Sequence, residues 1–177
     1  MSLDHLWAGW RSAYVTAAPA GPPPDQGAPE PGDDPEHCVF CRIAASGDPS
    51  PDNGVVWRGR HVLAVLNAYP YASGHLMVMP VRHVRTLADL HEDEADELWS
   101  ALRRGVAALE AAYAPEGVNL GANLGRAAGA GIPRHLHLHA VPRWVGDTNF
   151  MTTVAGVRVL PEALPVTWQR LHDAWPG

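Results

Sequence analysis

His135, His137 and His139 alternate with Leu136 and Leu138. In an extended segment, side chains at i, i+2 and i+4 share one face, so three imidazoles line one side and two leucines the other. An imidazole serves as nucleophile, acid, base or metal ligand near neutral pH, and three in a row can divide those roles. A glycine-rich stretch, Gly125 to Gly131, precedes them. Such a loop can turn backbone N–H groups inward as a nest for phosphate oxygens. A neutral histidine beside a held phosphate can attack phosphorus and form a phosphoramidate that a second nucleophile resolves. A neighbouring imidazole can stabilise the charge on the phosphoryl oxygens. The bland alternatives, a buried polar ladder or an adventitious metal patch, are costly for three strand histidines because each buried imidazole needs partners.

The second group is Cys38 and Cys41, the only cysteines of the 177 residues. A lone CxxC in a reducing compartment means metal or redox work rather than a disulfide scaffold. The redox alternative lacks the βαβ context of thioredoxin-like motifs, and two idle cysteines remain the other alternative. The net charge of −6 argues against a nucleic-acid polymer as partner but permits a local site for a small anion. No apolar run reaches the roughly 20 residues that span a bilayer. The start, Met1 to His5, lacks a basic end followed by an apolar stretch. Both features predict a soluble cytoplasmic protein with no membrane partner.

The elements that must position these residues follow from the pattern. Residues 1–16 read as an N-terminal arm or short amphipathic helix with Trp7 and Trp10. Residues 17–36 are a Pro/Gly-rich linker, too poor in large apolar residues to fold alone. Residues 37–177 read as one folded domain with α+β texture that carries both motifs. Short strands are expected at Val55–Trp57, His61–Leu66, His75–Met79, Gly117–Leu124, residues 135–142 and Val157–Val159. A long helix begins at Asp89 or His91 and runs to Tyr113, with Ala95, Leu98, Leu102, Val106, Leu109 and Tyr113 as its apolar stripe. A short helix covers residues 162–174. Tight turns between successive strands favour an antiparallel sheet.

HLHLHAV resembles the histidine triad (HIT) pattern, His-φ-His-φ-His-φ-φ with φ apolar. CVFCRIA, VLNAYPYASGHLMVMPVRHV, NLGANLGRAAGAGIPRHLHLHAVPRWVGDTNF and HLWAGWRSAYV are similar, in order, to segments of bacterial HIT proteins related to diadenosine tetraphosphate phosphorylases and hydrolases. The resemblance implies an antiparallel sheet of about five strands with a long packed helix, pairing sheets in a homodimer. It implies an enzyme that cleaves a (di)nucleoside polyphosphate, such as diadenosine tetraphosphate, through a nucleotidyl-histidine, by hydrolysis or phosphorolysis. Other outcomes for the same residues are a nucleoside phosphoramidate hydrolase, a transferase acting on a specialised metabolite, or a zinc-stabilised nucleotide-binding module.

The resemblance also assigns residues. His137 is the nucleophile, and His139 contacts the phosphates and helps activate the leaving group. Asn67 stands where the family binds ribose, and Asn123 near the α-phosphate. Gly129 and Gly131 sit in the phosphate loop, with His75 near the active site. For Asn123, Gly129 and Gly131 a turn alone is the simpler role, and for His75 a structural hydrogen bond. Cys38, Cys41, His83 and His135 resemble the four ligands of a zinc site. Four protein ligands leave no position for water, so that zinc would be structural. One departure concerns the loop before the triad. Gly129-Ala130-Gly131-Ile132-Pro133 carries no hydroxyl or amide side chain, and the space at Ala130 and Gly131 could admit inorganic phosphate.

Overall fold

Unbroken apolar runs at Val62–Leu66 and Leu76–Pro80, buried throughout, create a sheet with two apolar faces, and those faces set where the histidines point. The computed structural model describes residues 34–147 and 162–177. The expected arm, the linker up to residue 33 and the strand at 157–159 lie outside these residues. Within them, β1 (Val55–Arg58), β2 (Val62–Leu66), β3 (Leu76–Pro80), β4 (Gly117–Gly121) and β5 (Leu138–Arg143) form one five-stranded sheet in the order β1-β2-β3-β5-β4. Every pairing is antiparallel. With three helices, α1 (Val39–Ala44), α2 (Glu92–Tyr113) and α3 (Leu164–Asp173), this is the expected α+β fold.

One face buries Val62, Ala64, Leu66, Leu76, Val78, Leu136 and Ala140 against Leu98, Ala101, Leu102 and Leu109 of α2. The other gathers Val55, Leu63, Val65, Met77 and Met79 with Cys38 and Phe40 from the start of the domain. His139 is the register partner of Met77, so it belongs to this second face. His75, two residues before Met77, has the same parity. A positive φ of 85° at Gly74, which sits against Leu109, Tyr113 and Pro142, turns the chain into β3 just before His75.

Two expected strand boundaries move, and one buried face turns. The histidine strand pairs only from Leu138, because Pro80 has no N–H to extend the ladder and Leu136 N–H bonds instead to the Val84 carbonyl at 2.6 Å. β4 consequently ends at Gly121, opposite His139, rather than at Leu124. The buried stripe of α2 is also rotated. Ala95 is exposed and Val106 only half-buried, whereas Glu94, Ala101, Gly105 and Ala108 face inward. Small residues let α2 approach the sheet closely: a Cβ at Gly105 would lie 2.8 Å from Leu76.

Glu94 is the unexpected member of that stripe, 3% exposed. Its carboxylate receives Arg82 Nε at 2.8 Å and Nη2 at 2.6 Å, and the His91 N–H at 2.9 Å. The Arg82 guanidinium, ahead of the other partners, holds its pKa down at about 2. A carboxylate so depressed stabilises the fold fully above its unfolded value, and that contribution is lost as pH falls towards 2. Glu94→Gln should therefore cost about 1.5 kcal/mol near neutral pH, the low end for a charged hydrogen bond because Arg82 is half exposed. Chemical denaturation of both proteins across pH 7 to 3 checks this. The gap should narrow with acidity, and a pH-independent gap would contradict it.

Candidate active site and metal centre

Three short segments meet where the second face ends: the loop into α1, the chain leaving β3, and the chain entering β5. Cys38, Cys41, His83 and His135 each offer a ligand atom, and all four atoms lie within 4.8 Å of one another. His135 Nδ1 is 3.5 Å from Cys38 Sγ and 3.6 Å from Cys41 Sγ, and His83 Nδ1 is 3.2 Å from Cys41 Sγ. The Pro80 carbonyl can only accept, so His135 Nε2 donates to it at 2.9 Å, and Nδ1 presents its lone pair to the sulfurs. A ligand imidazole anchored through its other nitrogen to a carbonyl is the usual outer support of a metal site. The Leu136-to-Val84 backbone bond clamps the two segments that carry His135 and His83. Burial, with Cys38 alongside, pushes the Cys41 thiol up to about 12. Burial likewise pushes the His135 imidazole down to about 4. A neutral pocket that resists forming thiolates alone is one in which a cation would be needed to hold them. These four residues could hold a metal ion.

The hydrogen bonds next to this centre fix the tautomers of the remaining histidines. The His135 carbonyl accepts from His137 Nδ1–H at 2.8 Å, which leaves the His137 Nε2 lone pair unprotonated in the neutral ring. The Tyr71 backbone N–H donates to His75 Nδ1 at 3.0 Å, with the Asn67 amide 3.4 Å from the same atom. His75 Nε2 must then carry the proton and donate to His139 Nδ1 at 2.9 Å. Neutral His139 is thus protonated on Nε2. Burial lowers the pKa of both His137 and His139, and the charge of His137 further lowers that of His139. One ring offers a lone pair beside another that offers a proton, their centroids 5.0 Å apart. That pair can attack phosphorus and stabilise a phosphoryl oxygen.

The other expected residues are placed unevenly. His75 is fully buried, and its contact with His139 joins it to the triad. Asn67 lies at the end of β2; its Oδ1 accepts the Tyr69 N–H at 2.9 Å, an Asx turn that shapes the loop into His75. Asn123 falls two residues past Gly121, the register partner of His139. Gly129, at φ 86°, ends a single 3-10 turn at Arg126–Ala128, and Gly131 follows. Three of the loop amides are turned into the loop itself. Those of Ala128 and Ala130 bond to the Gly125 carbonyl and that of Gly129 to the Arg126 carbonyl. Two aromatic neighbours of the triad went unremarked in the sequence pattern. Phe40 touches His135 and His137, and Tyr71 stacks on His139 with centroids 6.0 Å apart. Their nearness to the motifs, inside CxxC and four residues before His75, was the available signal.

Comparison with known proteins agrees with this arrangement. Residues 50–145 match the HIT domain. AP-4-A phosphorylase of Mycobacterium tuberculosis is 39% identical over 173 residues, which is 98% of this chain and 85% of that protein. The asymmetrical bis(5'-nucleosyl)-tetraphosphatase of Schizosaccharomyces pombe is 32% identical over 52% of this chain and 50% of its own length. Among solved structures, a zinc-bound histidine triad family protein from Mycobacterium smegmatis superimposes with a TM-score of 0.64 at 26% identity, over 80% of this chain and 95% of that one. With the triad in place on this sheet, and with sequence likeness running along nearly the whole chain, the protein belongs to the HIT family.

Proposed function

We propose that this protein cleaves a dinucleoside polyphosphate such as diadenosine tetraphosphate by way of a nucleotidyl-His137 intermediate, with inorganic phosphate as the acceptor. The observation that carries this reading is the His137 Nδ1–H bond to the His135 carbonyl, because in the neutral ring it leaves the Nε2 lone pair unprotonated. That nitrogen attacks the α-phosphorus. The bond to the bridging oxygen breaks, and the nucleoside triphosphate departs. His139 Nε2–H meets the phosphoryl oxygens as charge moves onto them. Phosphate then attacks the nucleotidyl-histidine, forms the nucleoside diphosphate and returns the imidazole.

In this reading Asn67 binds ribose through the lone pair its turn leaves over, and Asn123 lies beside the α-phosphate. Gly129 and Gly131 border open space beside the site, since a Cβ at either would meet nothing within 4 Å. The acceptor assignment is supported by likeness to a phosphorylase along 98% of the chain. Incubation with diadenosine tetraphosphate separates the outcomes by mass spectrometry of the products. ADP and ATP formed only when phosphate is present are expected, whereas AMP and ATP at the same rate without phosphate would make the protein a hydrolase.

Zinc is the metal proposed for the four-ligand centre. A tetrahedral ion with Zn–N of about 2.1 Å and Zn–S of about 2.3 Å places N and S about 3.6 Å apart; the three measured separations run from 3.2 to 3.6 Å. When bound, it would hold α1, His83 and His135 together without touching substrate. A homodimer belongs to the same reading. It is supported by β4, a sheet-edge strand with Leu120 exposed, the kind of edge that proteins usually cover. Sedimentation velocity would report it as twice the chain mass.

A further inference from the structure

Phe40 occupies the interval between Cys38 and Cys41 on α1, and it is only 4% exposed. Its ring meets His135 edge-on, with centroids 5.6 Å apart and planes at 82°. It also meets His137, at 4.9 Å and 63°. A side chain set by the two cysteines thus rests on both a candidate metal-ligating imidazole, His135, and the proposed nucleophile, His137. The Nδ1–H bond to the His135 carbonyl fixes only one atom of the His137 ring. A ring held at one atom can still tilt, and a second rigid contact is needed to fix the direction of Nε2.

We infer that Phe40 is a positioning residue for His137, coupling the order of the Cys38–Cys41–His83–His135 centre to the aim of the nucleophile. The inference rests on the reading of His137 given above. The contact is made before substrate arrives, so its loss should leave the ground-state grip on the nucleotide alone and misdirect the attack. Misplacement of a reacting group by about 1 Å costs on the order of 10²-fold in rate. Losing the Phe40 contact should therefore lower kcat by roughly 10- to 100-fold.

The test compares wild type, Phe40→Ala and Phe40→Leu, each loaded with zinc and assayed for metal content. Expected for Phe40→Ala is wild-type metal stoichiometry, a KM unchanged within about twofold, and kcat lower by the stated range. Phe40→Leu, which refills most of the volume, should recover most of the loss; it also serves if the alanine variant does not fold. The readout independent of turnover is the His137 Nδ1–H signal in imidazole proton–nitrogen NMR of the zinc-loaded protein without substrate. It should be sharp in wild type and broadened or lost in Phe40→Ala. An unchanged kcat with an unchanged signal would overturn the proposal. So would a loss of kcat that tracks lost zinc and returns when zinc is restored, because Phe40 would then serve only the metal site. Should His137→Ala keep full turnover, the nucleophile assignment fails by itself, while the NMR comparison still reports whether Phe40 holds the ring.

Discussion

Replacing His137 by alanine should lower turnover of diadenosine tetraphosphate by about 10⁴-fold or more, the scale seen when a covalent nucleophile is removed. Fold and metal content should be unaffected. His137 gives one hydrogen bond to a carbonyl, and its ring is not among the four candidate metal ligands. The effect should be larger than that of His139→Ala. A proton-bearing ring that stabilises phosphoryl oxygens contributes about 10²- to 10³-fold, the range for one lost donor at a developing charge. His75 acts a step further back, since its Nε2–H sets the His139 tautomer. Steady-state kinetics of the two alanine variants, with circular dichroism and zinc assays as controls, check the order. Equal losses for His137→Ala and His139→Ala would mean that the two rings act as one unit. Wild-type turnover in His137→Ala would end the assignment.

The second large effect concerns stability. Cys38→Ser should lower the melting temperature by roughly 6–12 °C or more, taking a loss of at least about 3 kcal/mol and about 2–4 °C per kcal/mol for a domain of this size. Structural zinc in small peptides contributes about 10–16 kcal/mol, comparable with the whole stability of a typical domain. The centre here is set to matter. It joins the start of the domain at residue 38, the chain after β3 at residue 83 and the entry to β5 at residue 135. Phe40 and Cys38 lie in the smaller of the two cores, and Arg58 reaches the Ala44 carbonyl at 2.7 Å. Chelation of wild-type protein should reproduce the loss, and added zinc should reverse it. Wild-type protein that melts at one temperature with and without chelator, and contains no zinc by elemental analysis, would contradict the metal assignment.

Much of the site is written locally, and that part is readable without coordinates. Period-two spacing alone places His135, His137 and His139 on one side. The same parity carries His75 to that side through Met77, the register partner of His139. The proximity of Cys38 and Cys41 to each other follows from their spacing, whereas their meeting with His83 and His135 came only through family resemblance. What local pattern cannot supply is any feature decided by a distant partner. The division of roles among the three rings depends on the Pro80 carbonyl, which takes the His135 Nε2–H, and on the His75 ring, which sets the His139 tautomer. Of the expected α2 stripe, Leu98, Leu102 and Leu109 are buried, whereas Ala95 is exposed and Val106 half-buried. The rest of the inward face is Ala101, Gly105 and Ala108, with a carboxylate, Glu94, neutralised by Arg82 from another element. The loop at residues 125–131 has the composition of a phosphate nest. Its amides at 128–130 satisfy one another's carbonyl neighbours within the turn, a choice that glycine content does not reveal.

The central claim is that His137 becomes nucleotidylated, and trapping that adduct tests it most directly. Protein mixed with diadenosine tetraphosphate in phosphate-free buffer, quenched within one turnover and measured intact, should gain the mass of one adenylyl group per chain. Peptide mapping should place the label on His137, and adding phosphate before the quench should release it as ADP. Products formed at full rate with no adduct, or with the label on His139 or any other residue, would contradict the account.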